Sequence, residues 1–389
     1  MKFIGEVFDG CGKRLGAGLR LEDGRLHEIV EKTSSDSFPA RYIVPSFVDT
    51  HCHGGGENSF SDDYSAEQIS SAIWAHRRKG TTAMLASLVS LADPLPQIAS
   101  LLPFCETGEL AGIHLEGPFI SPDKCGAQNP SAIRDVNLVE LESWLVAGGG
   151  WIKTVTLAPE LSEALDAARL LHEYGARPSW GHTNASGEAT RNILDRYFDL
   201  AGSAQTTTHL FNAMPPIGHR DPGPVRELIA AARNSKAYLE LIADGIHVDL
   251  DLAQDVLEYA ANAYLVTDSS AVTGGEPGAY KLGGLDVELR DGGCYLNGTN
   301  TLAGGSTTIA DQFGLLARAN RLPLARIIRA VCQTPARACG IENATGVTTS
   351  LKIGSRPNFV ILDGNFQVLE VVREGELIDL GGEDRGADD

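Results

Sequence analysis

The sequence predicts an α/β fold: a (β/α)8 TIM-type barrel with a small β-sandwich domain built from both chain ends. Three observations carry this. Across residues 44–350, eight apolar strand-like runs alternate with helix-patterned segments. The flanks, 1–43 and 351–389, read instead as short strands around turns. The chain has 389 residues, 43% of them hydrophobic, which suits a barrel core plus an accessory element.

In the first flank, residues 5–7, 17–21 and 26–31 are strand candidates, and Asp23-Gly24 has the form of a hairpin turn. The eight runs of the middle are 45–53, 81–88, 111–116, 153–157, 177–182, 206–209, 238–242 and 264–268. Ser65-Ala-Glu-Gln68 reads as a capping box opening a helix that runs to Lys79 and stops at Gly80. Segments 161–174 and 252–261 have the helical period. The rival architecture is a doubly wound open sheet, but no G-x-G-x-x-G follows the first run. Residues 359–366 and 368–372 again read as strands around a turn. The expected division is therefore 1–43 plus 351–389 as one small β-domain, with 44–350 as a barrel inserted between its halves.

The net charge of −19 argues against nucleic acid and against an anionic membrane surface as partners. It leaves room for a local basic pocket. Part of the excess lies in residues 374–389, whose end reads as a solvated tail. No long apolar stretch follows Met1 and no run of about 18 apolar residues occurs, so neither a signal peptide nor a membrane span is expected. Seven scattered cysteines without C-x-x-C spacing suit reduced thiols and a cytoplasmic setting.

Barrel enzymes place their chemistry at the C-terminal ends of the strands. Here the first run ends in His51-Cys-His53, whose two imidazoles share one face while Cys52 takes the other. Alone, this pair fits either a divalent ion or two hydrogen-bonded histidines. The third run ends in His114-Leu-Glu116, the fifth in Gly181-His182, the sixth in Thr208-His209 and the eighth in Thr267-Asp268. Histidines and carboxylates converging on one pocket suit a Zn²⁺- or Fe²⁺-type ion with an open coordination position.

These motifs resemble the amidohydrolase superfamily and, within it, the N-acetylglucosamine-6-phosphate deacetylases. The resemblance rests on His114-Leu-Glu-Gly-Pro-Phe, Gly181-His-Thr-Asn-Ala, Thr208-His-Leu-Phe-Asn-Ala-Met-Pro, Ala243-Asp-Gly-Ile-His-Val-Asp, Leu265-Val-Thr-Asp and Thr301-Leu-Ala-Gly-Gly-Ser, and spans nearly the whole chain. It implies metal-dependent hydrolysis of N-acetyl-D-glucosamine 6-phosphate to glucosamine 6-phosphate and acetate. The alternatives are the galactosamine epimer, another amidohydrolase reaction, or a barrel kept only as a binding scaffold.

The resemblance further implies that Glu116, His182 and His209 hold the ion, that His51 and His53 add a second with Glu116 bridging, and that Asp268 is general base and then general acid toward a metal-activated water. Lys153, a candidate for the carboxylated bridging lysine of other amidohydrolases, sits at the wrong end of its strand. Arg220, His247, Asn212 and Ala213 match the family's phosphate-contacting positions, and Leu302 is a further substrate-binding candidate. Arg220 reaches across a subunit boundary in relatives, which implies a homodimer. One departure stands out: family members carry a histidine where this chain has Gln128, in Cys125-Gly-Ala-Gln-Asn-Pro. Its amide still offers a donor to an oxyanion. Cys125 reads as an ordinary loop thiol, His114 as a partner of the ligands, and His76, His172, His27 and His219 as structural or solvated.

Overall fold

The computed structural model describes residues 1–31, 41–62 and 65–380. Eight parallel strands pair in strict chain order: β1 (Phe47–Cys52), β2 (Thr81–Leu88), β3 (Gly112–Glu116), β4 (Ile152–Leu157), β5 (Arg177–Trp180), β6 (Gln205–Thr207), β7 (Ala237–Leu241) and β8 (Ala263–Leu265). Between them run α1 (Ala66–Arg77), α2 (Leu95–Glu106), α3 (Leu138–Ala147), α4 (Ala164–Glu173), α5 (Gly187–Ala201), α6 (Gly223–Arg233) and α7 (Leu250–Tyr259). After β8 come α8 (Ile309–Ala319), α9 (Leu324–Val331) and α10 (Gln333–Ala338). This is the expected TIM-type barrel.

Local chemistry explains the elements. All eight residues of β2 are buried, as in strands covered on both faces. Ser65 caps α1, its side chain accepting from the Gln68 amide at 3.1 Å. Thr308 and Asp311 form a reciprocal capping box at α8. The seam between β8 and β1 has no regular ladder. It is closed by Asp268 N to His51 O at 2.8 Å, by His53 N to Ser269 O at 2.7 Å, and by Asp49, which accepts from Thr267 N at 3.2 Å and Thr267 Oγ1 at 2.6 Å.

The second domain is a seven-stranded mixed sheet from both chain ends, again as expected. Lys2–Phe8, Arg14–Glu22, Arg25–Val30 and Tyr42–Pro45 come from one end, and Phe359–Leu362, Val368–Arg373 and Glu376–Leu377 from the other. Tyr42–Pro45 joins the halves, parallel to Lys2–Phe8 and antiparallel to Phe359–Leu362. Phe3, Leu19, Leu26, Phe359 and Val372 share one buried cluster, so both ends fill a common core. Gly80, at φ 95°, meets this domain: a Cβ there would lie 2.6 Å from Val360 Cγ1.

Two expectations are corrected. The run 45–53 is not one strand: Pro45 ends a strand of the end-built sheet, and the barrel strand begins at Phe47. An unbroken apolar run carries no mark of where one sheet passes the chain to another. Within the barrel region, Gly278–Leu282, Leu285–Arg290 and Gly293–Leu296 form an unforeseen antiparallel three-stranded sheet. Its Val287, Leu282 and Cys294 pack with Val89, beside the strand ends. Among the described residues no helix is long and apolar enough to cross a membrane. The acidic residues at 383–389 lie outside the described residues.

Candidate metal centre

The strand ends bring His51, His53, Glu116, His182, His209 and Asp268 into two overlapping groups. One is His51, His53, Glu116 and Asp268, the other Glu116, His182 and His209, and the donor atoms within each lie within 4.8 Å of one another. All six residues are buried. Glu116, the last residue of β3, divides its oxygens. Oε1 lies 3.0 Å from His182 Nε2 and 2.9 Å from His209 Nε2, while Oε2 lies 3.1 Å from His53 Nε2. Asp268 Oδ1 stands 3.3 Å from Nε2 of both His51 and His53. His182, His209 and Asp268 leave their strands with φ of 46°, 27° and 50°. Left-handed backbone at non-glycine residues is strained, and here it turns three side chains onto one point.

The far side of three of the four rings is fixed, while His209 Nδ1 is buried with no hydrogen-bond partner among the described residues. His51 Nδ1 donates to Glu240 Oε2 at 3.1 Å, His53 Nδ1 to Ser87 O at 3.1 Å, and His182 Nδ1 to Lys124 O at 2.8 Å. In a neutral ring so held, Nε2 carries a lone pair. Yet the Nε2 atoms of His51 and His53 are 3.1 Å apart, as are those of His182 and His209. Facing lone pairs repel at that distance unless positive charge lies among them. The electrostatics agree. Burial opposes charge on His51, but Asp268 and Glu116 hold its pKa well above the ordinary histidine value. The same contest puts His53 at about 9. Burial pushes Asp268 up, but His51 and His53 bring it to about 2. Imidazole nitrogens, three of the four rings anchored from behind, with shared carboxylates, are the donor set a divalent transition ion takes. The residues present fit such an ion.

The Amidohydrolase family model matches residues 42–378 of the chain. The chain belongs to the amidohydrolase family. N-acetylgalactosamine-6-phosphate deacetylase of Escherichia coli O157:H7 is 30% identical over 92% of this chain and 94% of its own length. N-acetylglucosamine-6-phosphate deacetylase of Bos taurus is 31% identical over 86% of this chain and 83% of its own. A solved structure of N-acetyl-D-glucosamine-6-phosphate deacetylase from Mycobacterium smegmatis, an aspartate-to-alanine variant in complex with N-acetyl-D-glucosamine-6-phosphate, is 33% identical. It superposes with a TM-score of 0.87, covering 97% of this chain and 98% of that one.

Other residues of this amidohydrolase fall around the centre. Gln128 is buried, and its amide does not stand free: Nε2 donates to Glu116 Oε2 at 2.5 Å while Oε1 accepts from Ser90 N at 2.6 Å. His247 Nδ1 is held by Asp244 Oδ2 at 2.7 Å, and its buried Nε2 has no hydrogen-bond partner among the described residues. Asn212 and Ala213 are half-buried beside His209, Leu302 is half-buried and bridged to Tyr295, and Arg220 is exposed with no hydrogen bond or ion pair among the described residues. His114 is no ligand: its nitrogens meet Ser87 Oγ at 3.0 Å and Thr156 Oγ1 at 2.9 Å, below the centre. Lys153 Nζ donates to Gly150 O at the opposite end of the barrel.

Sequence reasoning missed Glu240, Asp244 and Ser87. Glu240 had a readable signal, a lone carboxylate within the buried run Tyr238-Leu-Glu-Leu-Ile. Ser87 had none, since a serine in a barrel strand is unremarkable by type.

Proposed function

We propose that this chain hydrolyses the N-acetyl group of N-acetyl-D-glucosamine 6-phosphate, giving D-glucosamine 6-phosphate and acetate. The observation that carries the reading is the pair of donor groups sharing Glu116, with Asp268 beside them, in an amidohydrolase whose relatives bear deacetylase names. Glu116, His182 and His209 would hold one divalent ion and His51 with His53 a second, Zn²⁺ or Fe²⁺ suiting these donors. When bound, such an ion supplies Lewis acidity, easing ionisation of water and polarising the acyl oxygen.

The protein's own groups do the rest. Asp268, ionised at neutral pH, takes a proton from the attacking water and returns it to the nitrogen as the C–N bond breaks. Glu116 keeps both donor groups in one arrangement, and Gln128 steadies its second oxygen. Asp244 fixes the ring of His247, so that its Nε2 is offered to the phosphorylated sugar. Asn212 and Ala213 add contacts, Leu302 an apolar wall, and Arg220 a planar fork for phosphate, brought from the second subunit of a homodimer. A cytoplasmic setting accords with seven free thiols. The division into 1–43 plus 351–389 and 44–350 belongs to the same proposal.

A second reading is the galactosamine epimer, favoured by the Escherichia coli relative. Acetate release from both 6-phosphorylated epimers and from unphosphorylated N-acetylglucosamine, alongside metal analysis, tests the proposal. Faster turnover of the glucosamine compound is expected. Preference for the galactosamine compound selects the second reading, and equal kcat/KM without phosphate removes the phosphate pocket.

A further inference from the structure

Glu240 lies in β7 between Leu239 and Leu241, both wholly buried. Strand alternation turns its carboxylate into the barrel, where the side chain is 3% exposed. Three donors converge on it. His51 Nδ1 and His209 N both reach Oε2, each at 3.1 Å, and the Tyr264 hydroxyl reaches Oε1 at 3.1 Å. The carbonyl of the same residue accepts from Leu210 N at 2.9 Å. Among the described residues its ion-pair partner is a histidine, with no lysine or arginine beside it. Even when hydrogen-bonded, a buried charged group is often no more stabilising than an apolar side chain of similar volume. Stability alone therefore gives no reason for a glutamate at this position, and no step of the reaction uses it.

We propose that Glu240 is a positioning residue for the metal centre, which fixes His51 as an Nε2 ligand and ties it to the backbone at His209. The inference rests on the reading that these histidines hold divalent ions. A carboxylate only accepts, so the nitrogen facing it must carry the proton, and the other nitrogen of His51 is left to the centre. The ring has no second orientation that keeps this bond. On the same oxygen sits the amide of His209, whose backbone φ of 27° is strained, so the carboxylate also supports the turn that aims the second ligand group. Glu240 thus touches a member of each donor group from beneath while Glu116 joins them from within. A carboxylate behind a ligating imidazole typically changes metal affinity by about 10–100-fold.

The test is a cobalt(II) titration of wild type, His51→Ala, Glu240→Gln, Glu240→Leu and Tyr264→Phe, read by equivalents bound and by the visible spectrum. In wild type, the ion that His51→Ala removes identifies the His51 position. Glu240→Leu should weaken that ion by about 10–100-fold and shift the other less. Glu240→Gln keeps a carbonyl oxygen toward His51 and the His209 amide, and should restore affinity to within a few-fold. Tyr264→Phe removes only the third donor and should leave the ion in place, whereas a purely structural role for the buried carboxylate would move it too. Unchanged affinity in Glu240→Leu, or equal losses in all three variants, overturns the proposal. A wild type that binds no cobalt, or one ion untouched by His51→Ala, defeats the metal reading beneath it, and that outcome is visible before any Glu240 variant is made.

Discussion

Asp268 gathers the residue-scale chemistry at one position. It lies just beyond the end of β8, carries strained backbone, closes the barrel seam through its amide and faces both rings of the His51–His53 pair. Asn at 268 keeps the shape but accepts no proton, so Asp268→Asn should lower kcat by about 10²–10⁴-fold with metal content retained. Turnover within about tenfold of wild type would remove Asp268 from proton transfer. A second prediction concerns His76, which lies in the last turn of α1 and is wholly buried, Nε2 donating to Gly54 O at 2.8 Å. Burial lowers its pKa from the ordinary 6.5, only partly offset by that bond. Unfolding restores the ordinary value, so the unfolded chain takes up a proton that the folded chain refuses. This contribution is intact above the unfolded pKa and is lost as pH falls from there through the folded pKa. His76→Gln can still donate to Gly54 O and should lose less melting temperature between about pH 7 and pH 5.5; parallel losses in both proteins would refute the assignment. In the sequence His76 looks like an ordinary helical histidine, because a helix pattern does not say which polar residue the barrel will cover. Glu116, His182, His209 and Asp268 were legible because each sits where a strand pattern stops. Glu240 and Asp244 hold the rings of His51 and His247 from behind, and such contacts exist only once the strands close into the barrel.

At the scale of elements, the seam between β8 and β1 is the informative join. The ladder fails there, and polar side chains take its place: Asp49, buried in the middle of β1, accepts both the amide and the hydroxyl of Thr267. Thr267→Val would keep the volume and remove a donor to a buried carboxylate, costing about 1–3 kcal/mol in denaturant unfolding, while Thr267→Ser should stay near wild type. Equal stability of all three would show that the ladder-free seam does not depend on this bond. Since His51, His53 and Asp268 flank the seam, a loosened closure should also weaken metal binding in Thr267→Val. Barrel strands and their order were readable because eight apolar runs alternate with amphipathic helices. The passage from the end-built sheet to β1 was not, since residues 42–52 form one nearly continuous buried stretch whose two halves pair with different partners. The three-stranded sheet after β8 was overlooked although Gly283-Gly284 and Asp291-Gly292 mark its turns; its strands are short and half-exposed, so their alternation is faint against the barrel pattern.

The whole molecule carries a net charge of −19, yet the proposed substrate is a phosphate monoester. Binding an anion to an acidic protein requires local positive charge, and a single chain offers little at its centre beyond histidines. Arg220 lies exposed on the segment between β6 and α6, with no hydrogen bond or ion pair among the described residues, a placement that makes sense when the guanidinium serves a neighbouring copy. A homodimer with Arg220 acting across the interface predicts complementation. Arg220→Ala and Asp268→Asn subunits should each be nearly inactive alone. Unfolded together in equal amounts and refolded, half of the dimers are hybrids, and each hybrid holds one site with an intact Asp268 from one chain and an intact Arg220 from the other. Activity should return to about a quarter of wild type, with the wild-type KM for the phosphorylated sugar, because every active site is then complete. If Arg220 serves its own chain, the hybrid contains one site lacking the arginine and one lacking the aspartate, and mixing restores nothing. If the chain is a monomer, sedimentation shows it and mixing again fails. Complementation without a change in KM therefore distinguishes an arginine supplied across the interface from one that merely lies near it, since only the former gives recovered sites with undiminished affinity for phosphate.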